Sequence, residues 1–130
     1  MIRFLEQKDL DNWTSLYNAY AKFYKVPMNK EILETLWRWI HDDSHIVNGI
    51  CYELKEKIVG IAHYRTMPRP IKGKYIGFLD DLFVDPDFRG QKIAQSLINH
   101  LESLSKDNNW DGIRWITHSS NENAKKLYDK

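Results

Sequence analysis

The sequence has little cysteine, no long apolar run and no excess of charge of either sign. Cys51 is the one cysteine in 130 residues, which excludes an intramolecular disulfide and a zinc site built from cysteines. No apolar run approaches the roughly 20 residues of a membrane-spanning helix, and the amino terminus lacks the layout of a signal peptide. Nineteen basic and eighteen acidic residues give a net charge of +1, which excludes the broad basic surface of a dedicated nucleic-acid binder. We therefore expect a cytoplasmic protein that has no nucleic-acid or membrane partner.

What the sequence does contain is the composition of an ordinary globular fold. Apolar residues make up 42% and charged residues 28% of the chain. A chain of this length commonly forms one domain, and no internal repeat or linker divides it, so we expect a single domain over residues 1–130. The histidines, at positions 41, 45, 63, 100 and 118, have no spacing that is typical of a metal centre, and we predict no metal site.

Hydrophobic periodicity predicts a mixed α/β fold with the element order βααβββαβα. The predicted strands span residues 2–5, 46–54, 58–66, 75–84 and 113–118, and the predicted helices span residues 9–24, 29–40, 92–105 and 121–130. A loop is predicted at 67–74, where two prolines and one glycine lie close together. Strands and helices alternate towards the carboxyl end, which implies one parallel crossover in a mixed sheet.

The segment 82–98 carries the most chemical information, because it predicts a strand, a tight loop and the start of a helix. The first turn of a helix presents free backbone N–H groups and the positive end of a dipole, which together bind phosphates. Arg89 and Lys92 add positive charge there, Gly90 permits a turn that a side chain would hinder, and Ala94 allows close approach. The segment therefore indicates either a pyrophosphate cradle or an ordinary strand-to-helix connection with an arginine on the surface.

The run Arg89-Gly90-Gln91-Lys92-Ile93-Ala94 resembles the acetyl-CoA-binding motif of the GNAT superfamily of N-acetyltransferases, written Arg/Gln-x-x-Gly-x-Gly/Ala. Lys92 stands where the motif has its central glycine. We expect helical backbone angles at Lys92, which a lysine tolerates, and a cradle that survives with altered affinity. The resemblance implies a set of acetyl-CoA-binding residues, namely Leu82, Phe83, Val84, Arg89, Gly90, Gln91, Lys92, Ile93, Ala94 and Asn121.

Two further segments resemble the same superfamily. The stretch 80–84, Asp-Asp-Leu-Phe-Val, is similar to the splayed or bulged strand whose backbone groups bond the pantetheine arm and stabilise the thioester oxyanion. The stretch 121–128, Asn-x-x-Ala-x-x-Leu-Tyr, preceded by Trp-x-Thr, looks most like the branch of histone and polyamine acetyltransferases. Family members usually continue into two more strands, so the resemblance implies a truncated chain or a partner chain that covers the exposed edge, most simply in a homodimer.

The resemblance also implies three catalytic residues. Tyr128 occupies the position of the general acid, although a tyrosine there can instead simply pack its helix onto the sheet. Asp80 matches a carboxylate that related polyamine enzymes use, through water, to take up the proton of the amine, and Asp81 matches a more general family position. Adjacent strand residues point to opposite faces, so we expect one carboxylate in the acceptor cleft and the other in a structural role.

Other side chains have competing interpretations at this stage. Asn121 can contact the cofactor, cap the last helix, or do both. Cys51 lies in a predicted strand without an identifiable histidine partner, so we predict a buried structural thiol rather than a nucleophile. The first two helices form the acceptor-side wall in this family, and we expect bordering side chains at positions 20, 24, 42 and 43. The tryptophans at positions 13, 37 and 39 are expected in the core.

Taken together, these features predict an acetyl-CoA-dependent N-acetyltransferase that needs no metal. The expected reaction is direct transfer in a ternary complex to a primary amine, which is a polyamine, another small amine or a lysine side chain. The alternatives are an acyl-CoA-binding module without transferase activity and an aminoglycoside-type acetyltransferase, which differs only in the acceptor.

Overall fold

A computed structural model of the chain describes residues 1–115, and the elements there follow the predicted order. The α-helices are α1 (Leu10–Tyr24), α2 (Lys30–Ile40) and α3 (Ile93–Asp107). The strands are β1 (Ile2–Phe4), β2 (Val47–Leu54), β3 (Lys57–Arg69), β4 (Lys74–Val84) and β5 (Ile113–Trp115). The predicted helix at 121–130 and the end of the predicted last strand, 116–118, lie outside the described residues.

Local chemistry sets the junction between the first two helices. Helix α1 ends where Lys25 adopts a left-handed conformation, with φ at 57°. Helix α2 begins after Asn29, whose side-chain oxygen accepts a hydrogen bond of 2.8 Å from the backbone N–H of Ile32 and so caps the helix. Within residues 1–115, none of the helices is long and apolar enough to cross a membrane.

The five strands form one mixed sheet in the order β1-β2-β3-β4-β5. Strands β1 to β4 pair antiparallel with their neighbours, whereas β5 pairs parallel to β4. The parallel register runs from Gly77 opposite Ile113 to Leu79 opposite Trp115, and α3 makes the crossover between the two strands. The predicted mixed α/β class and the parallel crossover are confirmed.

The helices cover both faces of the sheet, because successive strand residues point to opposite sides. On one face, Ala62, Leu82 and Val84 pack against Leu97 and other side chains of α3. The opposite face packs against α1 and α2 through a second core, which contains Leu5, Trp13, Leu16, Tyr17, Trp37, Cys51, Ile58, Ile61 and Phe83. Trp13 and Trp37 therefore lie in the core as expected, whereas Trp39 is 40% exposed.

The predicted loop at 67–74 is shorter than expected. Strand β3 continues to Arg69, a 3-10 turn spans Pro70–Lys72, and β4 begins at Lys74. The last pairing of β3 with β2 joins Val47 and Arg65, so the end of β3 pairs only with β4 among the described residues. A proline is tolerated where one side of a strand has no partner, which is why Pro68 does not end β3.

Candidate active site

A β-bulge in β4 sets the direction of the two predicted carboxylates. His63 lies opposite Asp81, but the next residue of β3, Tyr64, lies opposite Leu79, so Asp80 is an extra residue in the ladder. As a result Leu79 and Leu82 both pack against α3, although alternation would separate two residues that are three apart. Asp80 and Asp81 both line a cleft on the opposite side of the sheet. The bulged strand is confirmed, and the expectation that the two carboxylates point to opposite faces is wrong.

We call this cavity the α2 cleft, and it has a volume of about 780 Å³. It lies between α2 and the neighbouring parts of β2, β3 and β4, with one residue from α1. Its lining consists of Tyr17, Asn29, Glu31, Ile32, Thr35, Leu36, Trp39, His45, Ile46, Val47, His63, Arg65, Asp80 and Asp81. Trp39 stacks on His45 with 4.6 Å between the ring centroids. The cleft thus has an apolar and aromatic wall on α2 and β2, and a charged wall on β3 and β4.

Of the residues expected to border the cleft, Tyr20 hydrogen-bonds to the lining residue Asp81 but does not itself line the cavity. None of positions 20, 24, 42 and 43 belongs to its described lining. Asp42 instead accepts hydrogen bonds from the backbone and hydroxyl of Ser44 in the turn after α2. The expected contribution of α2 to a cleft wall is found, but the individual side chains of α2 that line it were not expected, because helical periodicity assigns its apolar residues to the core whether or not a cavity lies beside them.

Asp81 is held by a chain of hydrogen bonds that begins inside the core. Its Oδ2 accepts from the Tyr17 hydroxyl at 2.9 Å and from Nδ1 of His63 at 2.8 Å. His63 is 1% exposed, and its Nε2 lies 2.9 Å from Nε1 of Trp13. An indole N–H can only donate, so we assign Nε2 of His63 as an acceptor and its proton to Nδ1. The ring is therefore neutral and donates to the carboxylate.

This network keeps Asp81 ionised inside the fold. Burial acts to raise the pKa of the Asp81 carboxyl, but hydrogen bonds from His63, Tyr20 and Tyr17 outweigh it and lower the pKa below its ordinary value. Sequence reasoning missed Trp13 and His63, since they are 50 residues apart and nothing in their spacing signals the contact.

Asp80 has the opposite electrostatic character. Burial raises the pKa of its carboxyl above the ordinary value, the charge of Asp81 adds to the rise, and the Arg65 guanidinium opposes it. Nε of Arg65 lies 3.1 Å from Oδ2 and 3.3 Å from Oδ1 of Asp80. Two adjacent carboxyl groups with pKa values shifted in opposite directions suit different tasks, one as a fixed anion and the other as a proton acceptor.

Beyond the bulge, β4 has main-chain groups that point away from β3. The backbone N–H of Asp85 donates to Val59 at 2.8 Å, so by antiparallel alternation Asp81 and Phe83 bond to β3, and Leu82 and Val84 point to the other side. On that side β5 pairs with β4 only from Gly77 to Leu79 within residues 1–115. The N–H groups of Leu82 and Val84 therefore point away from β3, on the side of β4 where β5 lies. Phe83 contributes its side chain to the core under α1.

The loop 85–92, which we call the cradle loop, connects β4 to α3. Its 3-10 turn spans Pro86–Phe88, and Gly90 has a φ of 87°, which a residue with a side chain rarely adopts. Lys92 caps α3 without a side-chain hydrogen bond to the first turn, so the backbone N–H groups of that turn have no side-chain cap. The side chain of Ile93 is buried, whereas that of Gln91 is exposed beside Lys92.

Lys92 departs from its expected conformation. Its φ of 60° and ψ of 25° lie in the left-handed region rather than the helical one, so the expectation of helical angles is wrong. A glycine adopts these angles freely, and other residues do so at a cost of about 1–2 kcal/mol. The conformation thus explains why the motif has a glycine here. In this chain the strained position is occupied by a lysine, which places a cation at the start of α3.

Arg89, in the cradle loop, extends its side chain towards α1. Its guanidinium is 5.2 Å from the ring centroid of Phe23 and 5.5 Å from that of Phe83, and its Nε lies 3.4 Å from the carbonyl oxygen of Val84. The arginine is thus held on aromatic rings at the end of β4. Ala94, in the first turn of α3, is half-buried. Tyr128 and Asn121 lie outside the described residues.

Two other predictions concern Cys51 and a metal site. Cys51 is fully buried, as predicted, and burial raises the pKa of its thiol to about 12, which removes the thiolate that a nucleophile needs. Within residues 1–115, no group of three or more histidine, cysteine or acidic side chains is arranged to hold a metal.

The comparisons agree with this geometry. The profile of the Acetyltransferase (GNAT) family matches residues 13–130, and the chain belongs to that family. It is 24% identical to the D-amino-acid N-acetyltransferase of Saccharomyces cerevisiae over 132 residues, covering 100% of this chain and 82% of the relative. It is 26% identical to the thialysine N-epsilon-acetyltransferase of Caenorhabditis elegans, covering 88% of this chain and 71% of the relative.

The crystal structure of ribosomal-protein-alanine N-acetyltransferase from Brucella melitensis biovar Abortus 2308 has the same fold. The TM-score is 0.82 at 22% identity, over 99% of this chain and 88% of the other. Family membership and named relatives together identify an acetyl-CoA-dependent N-acetyltransferase. The start of α3, which has no side-chain cap from Lys92, fits that donor because it offers backbone N–H donors for its phosphates.

The Trp13–His63 contact generates a first prediction. Trp13→Phe removes the one N–H within residues 1–115 that donates to Nε2 of His63, and an unsatisfied buried acceptor costs about 1–3 kcal/mol of unfolding free energy in addition to the loss of ring volume. Urea unfolding measures that loss, and Trp39→Phe, at an exposed position, is the control with a change within about 0.5 kcal/mol. Imidazole ¹⁵N shifts that report the proton on Nε2 of His63 would contradict the assigned network.

A second prediction tests the backbone at Lys92. Lys92→Gly and Lys92→Ala both remove the charge, but only glycine relieves the left-handed conformation. We expect the glycine variant to be more stable than the alanine variant by about 1 kcal/mol, which thermal unfolding resolves as a difference of several degrees. Equal melting temperatures would mean that Lys92 is not left-handed in solution.

Proposed function

We propose that the enzyme transfers the acetyl group of acetyl-CoA directly to a primary amine that binds in the α2 cleft, in a ternary complex. The observation that carries this proposal is the bulge at Asp80, which brings two carboxylates to the cleft wall beside Leu82 and Val84, whose backbone N–H groups point away from β3. An amine in the cleft and a thioester bonded to those N–H groups can therefore meet at one short stretch of β4.

Asp80 takes up the proton that the amine must lose, directly or through a water molecule. A free carboxyl titrates near 3.9, and an upward shift of its pKa improves its match to this task. Burial and the neighbouring charge of Asp81 supply an upward shift at Asp80. Asp81 serves as the fixed anion that attracts and orients the cationic form of the acceptor.

Acetyl-CoA, when bound, supplies the acetyl thioester. The backbone N–H groups of Leu82 and Val84 bond its amide arm and polarise the thioester carbonyl, and the neighbouring Phe83 maintains the strand by packing into the core. The remaining donor-binding residues lie along the cradle loop and the first turn of α3, with one contact from the last predicted helix. These residues are Arg89, Gly90, Gln91, Lys92, Ile93, Ala94 and Asn121.

The transfer balances with one acid and one base. The bound ammonium first releases one proton to solvent, and the neutral amine nitrogen forms a bond to the acetyl carbon. The C–S bond breaks, Asp80 receives the second proton of the nitrogen and Tyr128 protonates the departing thiolate. Free tyrosine and thiol groups have pKa values of about 10 and 8.5, so the second transfer is uphill by roughly 2 kcal/mol in water, which a hydrogen-bonded donor overcomes.

The acceptor is a polyamine, another small amine or a lysine side chain, and the pair of acidic residues in the cleft supports a cationic one. The relatives act by name on a D-amino acid and on thialysine, which supports small amines. We also propose that residues 1–130 form a single domain and that two copies of it assemble as a homodimer. A single buried cysteine suits a reducing, cytoplasmic compartment.

The proposal is tested by thiol release from acetyl-CoA against polyamines, amino acids, peptides and aminoglycosides. For the best acceptor, Asp80→Asn should lower kcat/KM by roughly 10²- to 10⁴-fold. The wild-type rate should fall as the pH drops through the raised pKa of Asp80, because the carboxylate is the active form, and the variant should lack that fall. Asp43→Asn, at an exposed position outside the described lining, is the matched control. If the protein bound acetyl-CoA but released no thiol in the presence of any of these acceptors, the proposal would be contradicted.

The role of Tyr128 has its own test. Tyr128→Phe keeps the ring and removes the proton, so kcat should fall roughly 10²-fold or more while KM for the amine changes little. Tyr75→Phe, at an exposed position on β4, is the control. Unchanged turnover in the Tyr128 variant would remove the general-acid role.

A further inference from the structure

Arg65 is the one lysine or arginine among the described residues that line the α2 cleft. The same lining contains three carboxylates, those of Glu31, Asp80 and Asp81. An arginine beside the reactive carboxylate disfavours the binding of a polycation, because the positive charge of the guanidinium repels a positively charged substrate. The position of Arg65 therefore bears on which amines can bind.

The guanidinium of Arg65 is held in place by two contacts, but not all of its N–H groups are hydrogen-bonded within residues 1–115. Its Nε bonds to Asp80 at 3.1 Å, and its plane lies over the ring of Phe78, the residue opposite it on β4, at 4.9 Å. The two terminal nitrogens, Nη1 and Nη2, make no hydrogen bond to any residue in 1–115, and the side chain is 36% exposed to the cleft. A rigid guanidinium fork with free N–H groups matches a carboxylate in geometry and in charge.

We propose that the acceptor is a zwitterion, an amino acid or close analogue whose carboxylate lies one or two carbons from its reactive amine. The amine lies on Asp80 and the carboxylate lies on the Nη groups of Arg65, so that the two charges of the ligand complement the Arg65–Asp80 ion pair. This inference rests on the proposed function, in which Asp80 takes up the proton of the amine. It deepens that function, because a second positive group on a polyamine or aminoglycoside meets Arg65 instead of an anion.

The opposite wall of the cleft indicates the third substituent of this acceptor. Ile32 and Leu36 of α2, with Trp39 and Ile46, provide an apolar and aromatic surface across from the charged pair. An apolar or aromatic side chain fits there, and the volume of about 780 Å³ has room for it. A lysine within a protein does not satisfy both charges, since its reactive amine is far from any carboxylate of its own.

The test compares amino acids with their decarboxylated amines. We expect wild-type kcat/KM for phenylalanine and leucine to exceed that for phenethylamine and 3-methylbutylamine roughly 10- to 100-fold, mainly through KM. Arg65→Gln should remove most of this preference by weakening the amino acids, and Arg65→Lys, which keeps the charge but lacks the fork, should be intermediate. Comparing the ratio between variants cancels the difference in basicity between the two kinds of amine.

Arg69→Gln is the matched control, because Arg69 lies on the same strand and pairs with Asp111 outside the described lining. Its preference for amino acids should equal that of the wild type. Acetylation of the amines as fast as the amino acids, with the same ratio in Arg65→Gln, would overturn this inference and leave the proposed function standing. If no acceptor supported thiol release from acetyl-CoA, or if Asp80→Asn left the rate of that release unchanged, the proposed function would be overturned and this inference with it.

Discussion

The hydrogen bond between His63 and Asp81 is the contact on which the arrangement of the site depends. It joins the last pair of residues before the register of β3 and β4 shifts, and it buries a carboxylate that would otherwise be unstable inside the fold. An unpaired buried charge is expensive, so the bulge persists only because Asp81 has partners on α1 and β3. With Asp81 held, the extra residue Asp80 is directed to the cleft rather than to the core.

The electrostatic division between the two carboxylates follows from the same contact. The donors that surround Asp81 stabilise its charge, and that charge in turn disfavours the ionisation of its neighbour. Arg65 counteracts this effect from the side of the cleft, so Asp80 stands between an anion beneath it and a cation beside it. A single inserted residue thus places two carboxylates with opposite pKa shifts and one ion pair in one short stretch of backbone.

Much of the fold was predictable from local pattern, and the geometry of the site was not. Helical spacing and strand alternation set the elements, and a short local motif located the cradle loop, because each depends on residues close in sequence. The direction of Asp80 depends on a one-residue shift between paired strands, which alternation within β4 cannot reveal. The partner of His63 is Trp13, which lies on another element, and the strained angles of Lys92 arise from how the loop must enter α3. Such features come from tertiary contact.

The left-handed lysine at the start of α3 has a further consequence for how this enzyme meets its donor. A glycine at that position lets the backbone approach a phosphate closely. This steric contribution to binding does not depend on the ions in solution. An exposed ammonium group attracts phosphates by charge, over a range that is about 8 Å at physiological ionic strength and shrinks as salt is added. Since we propose that Lys92 binds the donor, we expect donor capture in this chain to be more sensitive to ionic strength than in a relative that keeps the glycine.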